Sequence, residues 1–144
     1  MILEESDMDI IRLKGNDKQL YSLVAHLVMD EEVIRYNLNY PYKTSPDYEW
    51  FVATDNNGTT LGFIPVKLEG GKATINNYYV AEDDRTVFSA LLKEIIKIVS
   101  SDFEIESVTQ VRHVPEFEKS GFSVVLCWKR YVKMRIFSDE EKRI

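Results

Sequence analysis

The first third of the chain changes from a strand-like to a helix-like hydrophobic pattern. A short apolar run at residues 8–13 closes at Gly15 and predicts a first strand. Asp17 then has the character of a helix N-cap, and the apolar residues after it recur at helical spacing to about residue 30 or further. Residues 36–48 are aromatic, polar and interrupted by two prolines, so we expect an irregular connection there.

Three strand-like segments follow. They cover residues 49–54, 60–68 and 73–80, and a strong turn signal at residues 55–58 separates the first two. Pro65 cannot donate a backbone hydrogen bond to a neighbouring strand, so it predicts a bulge or an edge position. This part of the chain therefore predicts an antiparallel three-stranded meander.

The second half of the chain predicts a long helix followed by strands. Residues 85–99 carry one apolar stripe at helical spacing, which is typical of an amphipathic helix. Residues 105–111 predict a further strand, and residues 115–119 predict a single helical turn. Apolar residues then alternate along residues 122–136, with a break at Arg130, and predict one long final strand.

The order of these elements predicts an α+β fold. The unit of strand, helix and strand over residues 73–111 places its two strands parallel, and the hairpins make the other pairs antiparallel. We therefore expect a mixed, mostly antiparallel central sheet with helices on both faces. Residues 1–137 are predicted to form a single domain, and residues 138–144 a charged C-terminal tail.

Composition and charge narrow the classes of function. The net charge of −6 disfavours nucleic acid and anionic membrane as partners, because the field of the protein repels phosphate. A single cysteine, Cys127, precludes an internal disulfide framework, and the N-terminal residues lack the features of a signal peptide. No apolar run is long enough to span a bilayer, so we expect a cytoplasmic monomer or homodimer. The two histidines lack metal-ligand spacing, so we expect no bound metal.

Three stretches of the sequence resemble the GNAT family of N-acetyltransferases, over roughly residues 8–136. Residues 50–64 are similar to the family's second and third strands, and residues 79–92 stand in the position of its acetyl-CoA motif. Residues 117–122, Phe-Glu-Lys-Ser-Gly-Phe, look like the family's segment before its final strand. The resemblance implies the acyl-CoA N-acyltransferase fold. It also implies transfer of an acetyl or other acyl group from acyl-CoA to an amine acceptor, either a small molecule or a protein.

The family's motif, Q/R-x-x-G-x-G/A, opens the long helix, where loop amides bind the pyrophosphate of acetyl-CoA. Arg85 and Ala90 fit the motif, but Phe88 replaces its first glycine and three acidic residues, 82–84, replace the usual small, basic loop. A structural role also suits these residues, with Asp83 or Asp84 capping the helix and Phe88 joining its apolar stripe. The resemblance implies a cofactor site made of Asn77, Tyr78, Tyr79, Val80, Arg85, Thr86, Val87, Phe88, Ser89 and Ala90.

The same resemblance indicates candidate catalytic residues. Many family members use a tyrosine to protonate the leaving CoA thiolate, and here that position is Phe117, so we expect the donor to be Tyr131 or Tyr79. Glu82 is a candidate general base, and His113 is a further candidate acid or base at the end of a strand. Each residue also has a structural interpretation, because strand tyrosines commonly pack with the hydroxyl in water.

An aromatic cluster after the first helix predicts the acceptor site, because the family shapes its acceptor pocket there. Its residues are Tyr36, Tyr40, Tyr42 and Trp50. Such a cluster can bind a flat or cationic acceptor, pack on the sheet or form a dimer contact. A second class of function stays open, in which a GNAT-like protein has lost CoA binding and serves as a binding or scaffolding module.

Overall fold

The computed structural model describes residues 3–138 and 141. The strands are β1 (Met8–Lys14), β2 (Tyr48–Asp55), β3 (Thr60–Glu69), β4 (Lys72–Ile75), β5 (Tyr79–Val80), β6 (Glu104–Gln110), β7 (Ser123–Cys127) and β8 (Tyr131–Arg135). The α-helices are α1 (Lys18–Val28), α2 (Glu31–Tyr36), α3 (Arg85–Val99) and α4 (Val114–Lys119). Of the predicted charged tail, residues 139–140 and 142–144 lie outside the described residues, so the tail and the domain boundary before it stay predictions.

All of these strands belong to one mixed sheet. The main path runs in the order β1-β2-β3-β4-β6-β8-β7, and β5 pairs with β3 beyond the end of β4. The pair β4 and β6, joined through α3, is parallel, and the other pairs are antiparallel. The predicted sheet, including its parallel pair across the long helix, is therefore confirmed.

The side chains of β2 alternate between two hydrophobic cores. Phe51 and Ala53 belong to the core that contains the apolar stripe of α3. Trp50 and Val52 pack in a second core with Leu20 of α1. Because successive residues of a strand point to opposite faces, α1 and α3 cover opposite faces of the sheet, as predicted.

The first helical segment is divided into two helices. α1 begins after Asp17, whose carboxylate accepts the amide hydrogen two residues later at 2.8 Å. Asp30 then caps α2, because its carboxylate accepts hydrogen bonds from the amides of Glu32 at 2.8 Å and Val33 at 3.3 Å. The cap at Asp17 is confirmed, and the second aspartate separates two helices that the apolar spacing alone does not distinguish.

The prediction of one long final strand is wrong, because β7 and β8 form an antiparallel hairpin. Lys129 and Arg130 make the turn, and the amide of Trp128 donates to the carbonyl of Tyr131 at 2.8 Å. The pairing register shifts at Val125, so the apparent alternation along the sequence crosses from one face of the sheet to the other. β7 is consequently the edge strand, and β8 lies between it and β6.

Candidate functional site

The central sheet opens where β4 ends and β5 begins. β4 follows β6 as far as Ile75, which lies opposite Ser107, whereas β5 pairs with β3 alone. Val66 of β3 pairs with Ile75, and Phe63 of β3 pairs with Tyr79. Three residues of the β4–β5 segment therefore lie opposite two residues of β3, which is the geometry of a one-residue bulge.

Pro65 and Asn77 explain the position of this bulge. Pro65 lies in the two-residue part of β3 and has no amide hydrogen to donate to the facing strand. Asn77 adopts a left-handed backbone conformation with φ of 56°, which asparagine tolerates better than most residues. The bulge lies opposite Pro65, in the β4–β5 segment, and Pro65 itself stays in register with Trp50 of β2. Since β5 pairs on one edge only, backbone groups on its other edge face the opening toward β6.

A cavity of about 270 Å³ lies at this opening. It is lined by Tyr40, Lys43, Asn76, Asn77, Val108 and Tyr131. The structure thus brings together one candidate from each predicted group: Asn77 for the cofactor, Tyr40 for the acceptor and Tyr131 for catalysis. Burial raises the pKa of the Tyr131 phenol, so the hydroxyl keeps its proton at neutral pH and is able to donate it.

A hydrogen-bonded cluster around His113 joins the start of β5 to the end of β6. The buried His113 ring has its Nδ1 2.7 Å from the Tyr78 hydroxyl and its Nε2 2.8 Å from an Asp83 carboxylate oxygen. The Tyr78 oxygen also accepts the amide hydrogen of Gln110 at 3.0 Å. The bonds to Tyr78 and Asp83 are satisfied when Tyr78 donates to Nδ1 and Nε2–H donates to Asp83, whereas the Arg112 Nε–H, which lies 3.1 Å from the same Nε2, requires Nε2 as an acceptor.

Arg112 and Tyr36 complete this cluster. The Arg112 Nε lies 3.3 Å from the second carboxylate oxygen of Asp83, and the guanidinium lies 4.7 Å from the centre of the Tyr36 ring. Burial opposes ionisation of Asp83, but hydrogen bonds from Tyr36 and His113 and the nearby positive charge lower its pKa overall. The cluster therefore holds an ionised aspartate and fastens the loop after β5 to the end of β6.

We expect the protein to lose stability as the pH falls from about 7 through the folded-state pKa of His113. Burial lowers the pKa of His113 below its ordinary 6.5, against the opposing effect of Asp83. The unfolded chain therefore takes up the proton first, and the stabilising contribution is complete above pH 6.5 and is lost as the pH falls through the folded-state pKa. Urea unfolding across this range should show the decline. His113→Gln should flatten it and the exposed His26→Gln should not, and equal slopes in both variants would contradict the assignment.

The turn between β5 and α3 carries carboxylates at the position where the GNAT family, which the sequence resembles, has a small, basic loop. Glu82 and Asp83 have left-handed φ angles of 58° and 51°, a conformation that ordinarily favours glycine. The contacts of Asp83 with His113 and Arg112 hold it in this conformation. The turn between β5 and α3 thus contains two residues in the left-handed conformation, Glu82 and Asp83, and neither is a glycine.

Asp84 occupies the amide groups at the start of α3. Its Oδ1 accepts hydrogen bonds from the amides of Thr86 at 2.9 Å and Val87 at 3.1 Å, and its carbonyl accepts from the amide of Phe88 at 3.1 Å. The predicted helix cap is confirmed and belongs to Asp84. The amides that would bind a pyrophosphate are therefore paired with a carboxylate, which an incoming phosphate must displace.

Phe88 and Phe117 lie in the hydrophobic core. Both are fully buried, and the Phe88 ring centre lies 5.0 Å from that of His113, 5.8 Å from that of Tyr78 and 6.3 Å from that of Phe117. The expectation that Phe88 joins the apolar stripe of the long helix is confirmed. Many members of the GNAT family, which the sequence resembles, have a proton-donating tyrosine at the position of Phe117. In this structure the position holds a core side chain.

The exposed start of α3 borders a second cavity of about 270 Å³, which lies against α4. Arg85, Thr86 and Ser89 line it together with Glu116 and Lys119. The Arg85 Nε lies 3.4 Å from a Glu116 carboxylate oxygen. Three predicted cofactor residues therefore share this exposed cavity, whereas Val80, Val87 and Ala90 are buried in the core.

The other catalytic and acceptor candidates are dispersed. Tyr42 packs edge-on against Phe63, and Trp50 is buried in the core beneath α1. Tyr79 is half-buried and also packs on Phe63, with its pKa raised by burial and nearby carboxylates. Glu82 is exposed at the turn. Tyr36 belongs to the His113 cluster, so Tyr40 is the acceptor candidate that lines the cavity.

Lys43, Asn76 and the link between Asp83 and His113 were not predicted from the sequence as parts of the site. A signal for the link was present, because the predicted parallel strands bring the chain after β4 beside the end of β6. Lys43 lies in a loop without periodicity, and its position depends on how that loop packs. No pattern in the sequence therefore indicates Lys43.

The described residues contain neither a metal-binding cluster nor a membrane-spanning helix. Within residues 3–138 and 141, no three His, Cys, Asp or Glu side chains are arranged to hold a metal ion. Among the helices that the structure describes, none is long and apolar enough to cross a bilayer.

Solved structures similar to this one include acyl-CoA N-acyltransferases. One from Pseudomonas aeruginosa has a TM-score of 0.70 at 17% identity, covering 90% of this chain and 99% of that chain. Escherichia coli ElaA has a TM-score of 0.72 at 15% identity, with the same coverage of 90% and 99%. A spermidine N-acetyltransferase from Vibrio cholerae, in complex with CoA and spermine, has a TM-score of 0.61 at 15% identity, covering 91% and 94%.

No protein-family model matches the sequence, and no curated protein matches it. Identities of 15–17% show the fold alone, and that fold extends over nine-tenths of the chain. The chain therefore has the acyl-CoA N-acyltransferase fold, which the resemblance to the GNAT family implied.

Proposed function

We propose that the protein is an N-acyltransferase that moves an acetyl or other acyl group from acyl-CoA to an amine. The observation that carries this proposal is the opening between β5 and β6, created by the bulge at Asn77 and bordered by the cavity that Tyr131 lines. A thioester in this opening would meet the unpaired backbone edge of β5, whose N–H groups can polarise its carbonyl. The neighbours of the same fold support the proposal, since one of them is a spermidine N-acetyltransferase in complex with CoA.

The proposed reaction is a direct transfer. The neutral amine attacks the thioester carbonyl carbon, the new C–N bond forms, and the C–S bond to CoA breaks. Tyr131 gives its proton to the departing thiolate, the amine loses a proton to water in the open cavity, and that water returns a proton to Tyr131. Tyr79 is the alternative donor, but its half-buried ring packs against Phe63, whereas Tyr131 lines the cavity itself.

The phosphates of acyl-CoA are proposed to lie at the exposed start of α3. Arg85 and Lys119 line the cavity between α3 and α4 together with the carboxylates of Glu5 and Glu116, so a phosphate has to compete with Glu116 for Arg85. A pyrophosphate that uses the helix amides as well has to displace the Asp84 carboxylate from Thr86 and Val87. We expect this displacement to weaken binding without abolishing it, because the phosphate regains the same hydrogen bonds.

We also propose a cytoplasmic location.

Tyr131→Phe is expected to lower kcat by about a hundredfold or more, which is the usual contribution of a general acid. Binding of acetyl-CoA should stay unchanged. The assay follows release of the CoA thiol from acetyl-CoA and identifies the acetylated amine by mass spectrometry. Tyr21→Phe, at an exposed position on α1, is the matched control. Unchanged kcat in Tyr131→Phe would remove Tyr131 from the mechanism, and absence of transfer by the wild type to any amine would contradict the proposed function.

A second candidate function is a binding or scaffolding module that does not bind CoA. The observation in its favour is the pairing of the Thr86 and Val87 amides with the Asp84 carboxylate. The core positions of Phe88 and Phe117 point in the same direction. This candidate predicts that millimolar acetyl-CoA leaves the melting temperature unchanged, whereas the N-acyltransferase requires an increase.

A further inference from the structure

The cavity at the opening of the sheet has positively charged surroundings on an acidic protein. Lys43 lines the cavity itself, and the groove beside it is lined by Arg112, Lys129 and Arg130. The two adjoin, because Tyr131 of the cavity is paired in the sheet with Gln110, which lines the groove. Among the described residues that line them, none is a carboxylate. This region is therefore opposite in sign to the net charge of −6.

Three of these four cations have no acidic partner among the described residues. Arg112 is paired with Asp83 at 3.3 Å. In the part of the chain that the structure describes, Lys43, Lys129 and Arg130 have no Asp or Glu oxygen within 4.0 Å. The charge of these side chains is therefore available to a ligand.

Four carboxylates near β5 do not line the cavity. The charges of Asp30, Glu32, Glu82 and Asp83 all act on Tyr79 of β5 and raise its pKa in addition to burial. None of these four lines the cavity that contains Lys43 and Tyr131. The anionic end of an amine acceptor would thus be favoured at the cavity itself, which Lys43 lines and these four carboxylates do not.

We propose that the acceptor amine carries an anionic group, a carboxylate or a phosphate, and that Lys43 and Arg130 hold that group. The inference rests on the proposed N-acyltransferase function and names its acceptor class. A polycation such as the spermine bound by the Vibrio cholerae neighbour would be repelled by Lys43, Lys129 and Arg130. A carboxylate or phosphate anchored there leaves the neutral amine of the same molecule free to reach the thioester.

The test compares two amines of equal chain length, 4-aminobutanoate and 1,4-diaminobutane, by nuclear magnetic resonance titration of the protein without CoA. We expect 4-aminobutanoate to bind about tenfold tighter or better. Lys43→Ala and Arg130→Ala should each weaken its binding about threefold to tenfold, and 0.5 M salt should have a similar effect. Lys97→Ala, on the exposed last turn of α3, is the control and should change nothing.

A second pair, O-phosphoethanolamine and ethanolamine, tests a phosphate in place of the carboxylate. If O-phosphoethanolamine binds more tightly than 4-aminobutanoate, the acceptor carries a phosphate. Equal or tighter binding of 1,4-diaminobutane would overturn the inference. It would also be overturned if Lys43→Ala and Arg130→Ala weakened binding of CoA and left 4-aminobutanoate unaffected, because the cations would then serve the cofactor. The titration needs no acyl transfer, so its result is separate from success or failure of the thiol-release assay.

Discussion

Phe88→Ala should destabilise the protein by about 3–5 kcal/mol, the usual cost of removing a buried aromatic ring. The ring has no exposed surface and packs against His113, Tyr78 and Phe117, so alanine would leave a cavity at the centre of the core. Domains of this size are stable by about 5–15 kcal/mol in total, so the variant should lose a large part of its stability. Urea unfolding measures the difference directly.

The neighbouring residue provides the control for this prediction. Ser89 follows Phe88 in the same helix and is exposed, so Ser89→Ala should change stability by about 0.5 kcal/mol or less. A loss below about 1 kcal/mol in Phe88→Ala would show that the ring does not lie in the core. Phe88→Gly should be at least as destabilising, because glycine adds a backbone cost within the helix. A glycine at this position, as in the GNAT motif that the sequence resembles, would therefore leave the core unfilled.

Asp84→Ala should change stability and cofactor affinity in opposite directions. Loss of the helix cap should cost about 0.5–2 kcal/mol of unfolding free energy. Binding of acetyl-CoA should tighten, by about tenfold, because the amides of Thr86 and Val87 are released and a negative charge beside the pyrophosphate is removed. Urea unfolding and isothermal titration calorimetry on the same preparation measure the two effects.

Asp84→Asn separates the effect of releasing the helix amides from the effect of removing the negative charge. Asparagine caps helices about as well as aspartate, so stability should stay near that of the wild type. The amides remain occupied but the charge is gone, so the gain in acetyl-CoA affinity should be smaller than in Asp84→Ala. If Asp84→Ala bound acetyl-CoA no better than the wild type, Asp84 would not compete with the cofactor, and the phosphates would bind elsewhere.

The elements that the sequence predicts well are those with a local physical cause. The cap before α3, the apolar stripe that contains Phe88 and the bulge opposite Pro65 each depend on the chemistry of a few neighbouring residues. The β7–β8 hairpin was not predicted, because Lys129 and Arg130 are not typical turn residues. In addition, the bulge at Val125 is not visible in the alternation of apolar residues.

The candidate site depends on contacts between distant parts of the chain. The cluster of Tyr78, Asp83 and His113 joins residues up to 35 positions apart, and its formation requires the parallel pairing of β4 with β6. The aromatic residues after α1 illustrate the limit of local patterns. Tyr40 lines the cavity and Trp50 is buried under α1, although both are aromatic residues of the cluster that predicted the acceptor site. Which tyrosine faces the opening is decided by loop packing, which has no periodic signal.

Titration of the wild-type protein with acetyl-CoA tests the central claim most directly, because N-acyl transfer requires that cofactor to bind. We expect saturable binding with one site per chain, displaced by free CoA. At about one hundred times Kd, acetyl-CoA should add roughly 2.7 kcal/mol to the unfolding free energy and raise the melting temperature by several degrees. No binding at millimolar acetyl-CoA, in the wild type and in Asp84→Ala alike, would contradict the proposed N-acyltransferase function and favour the binding module.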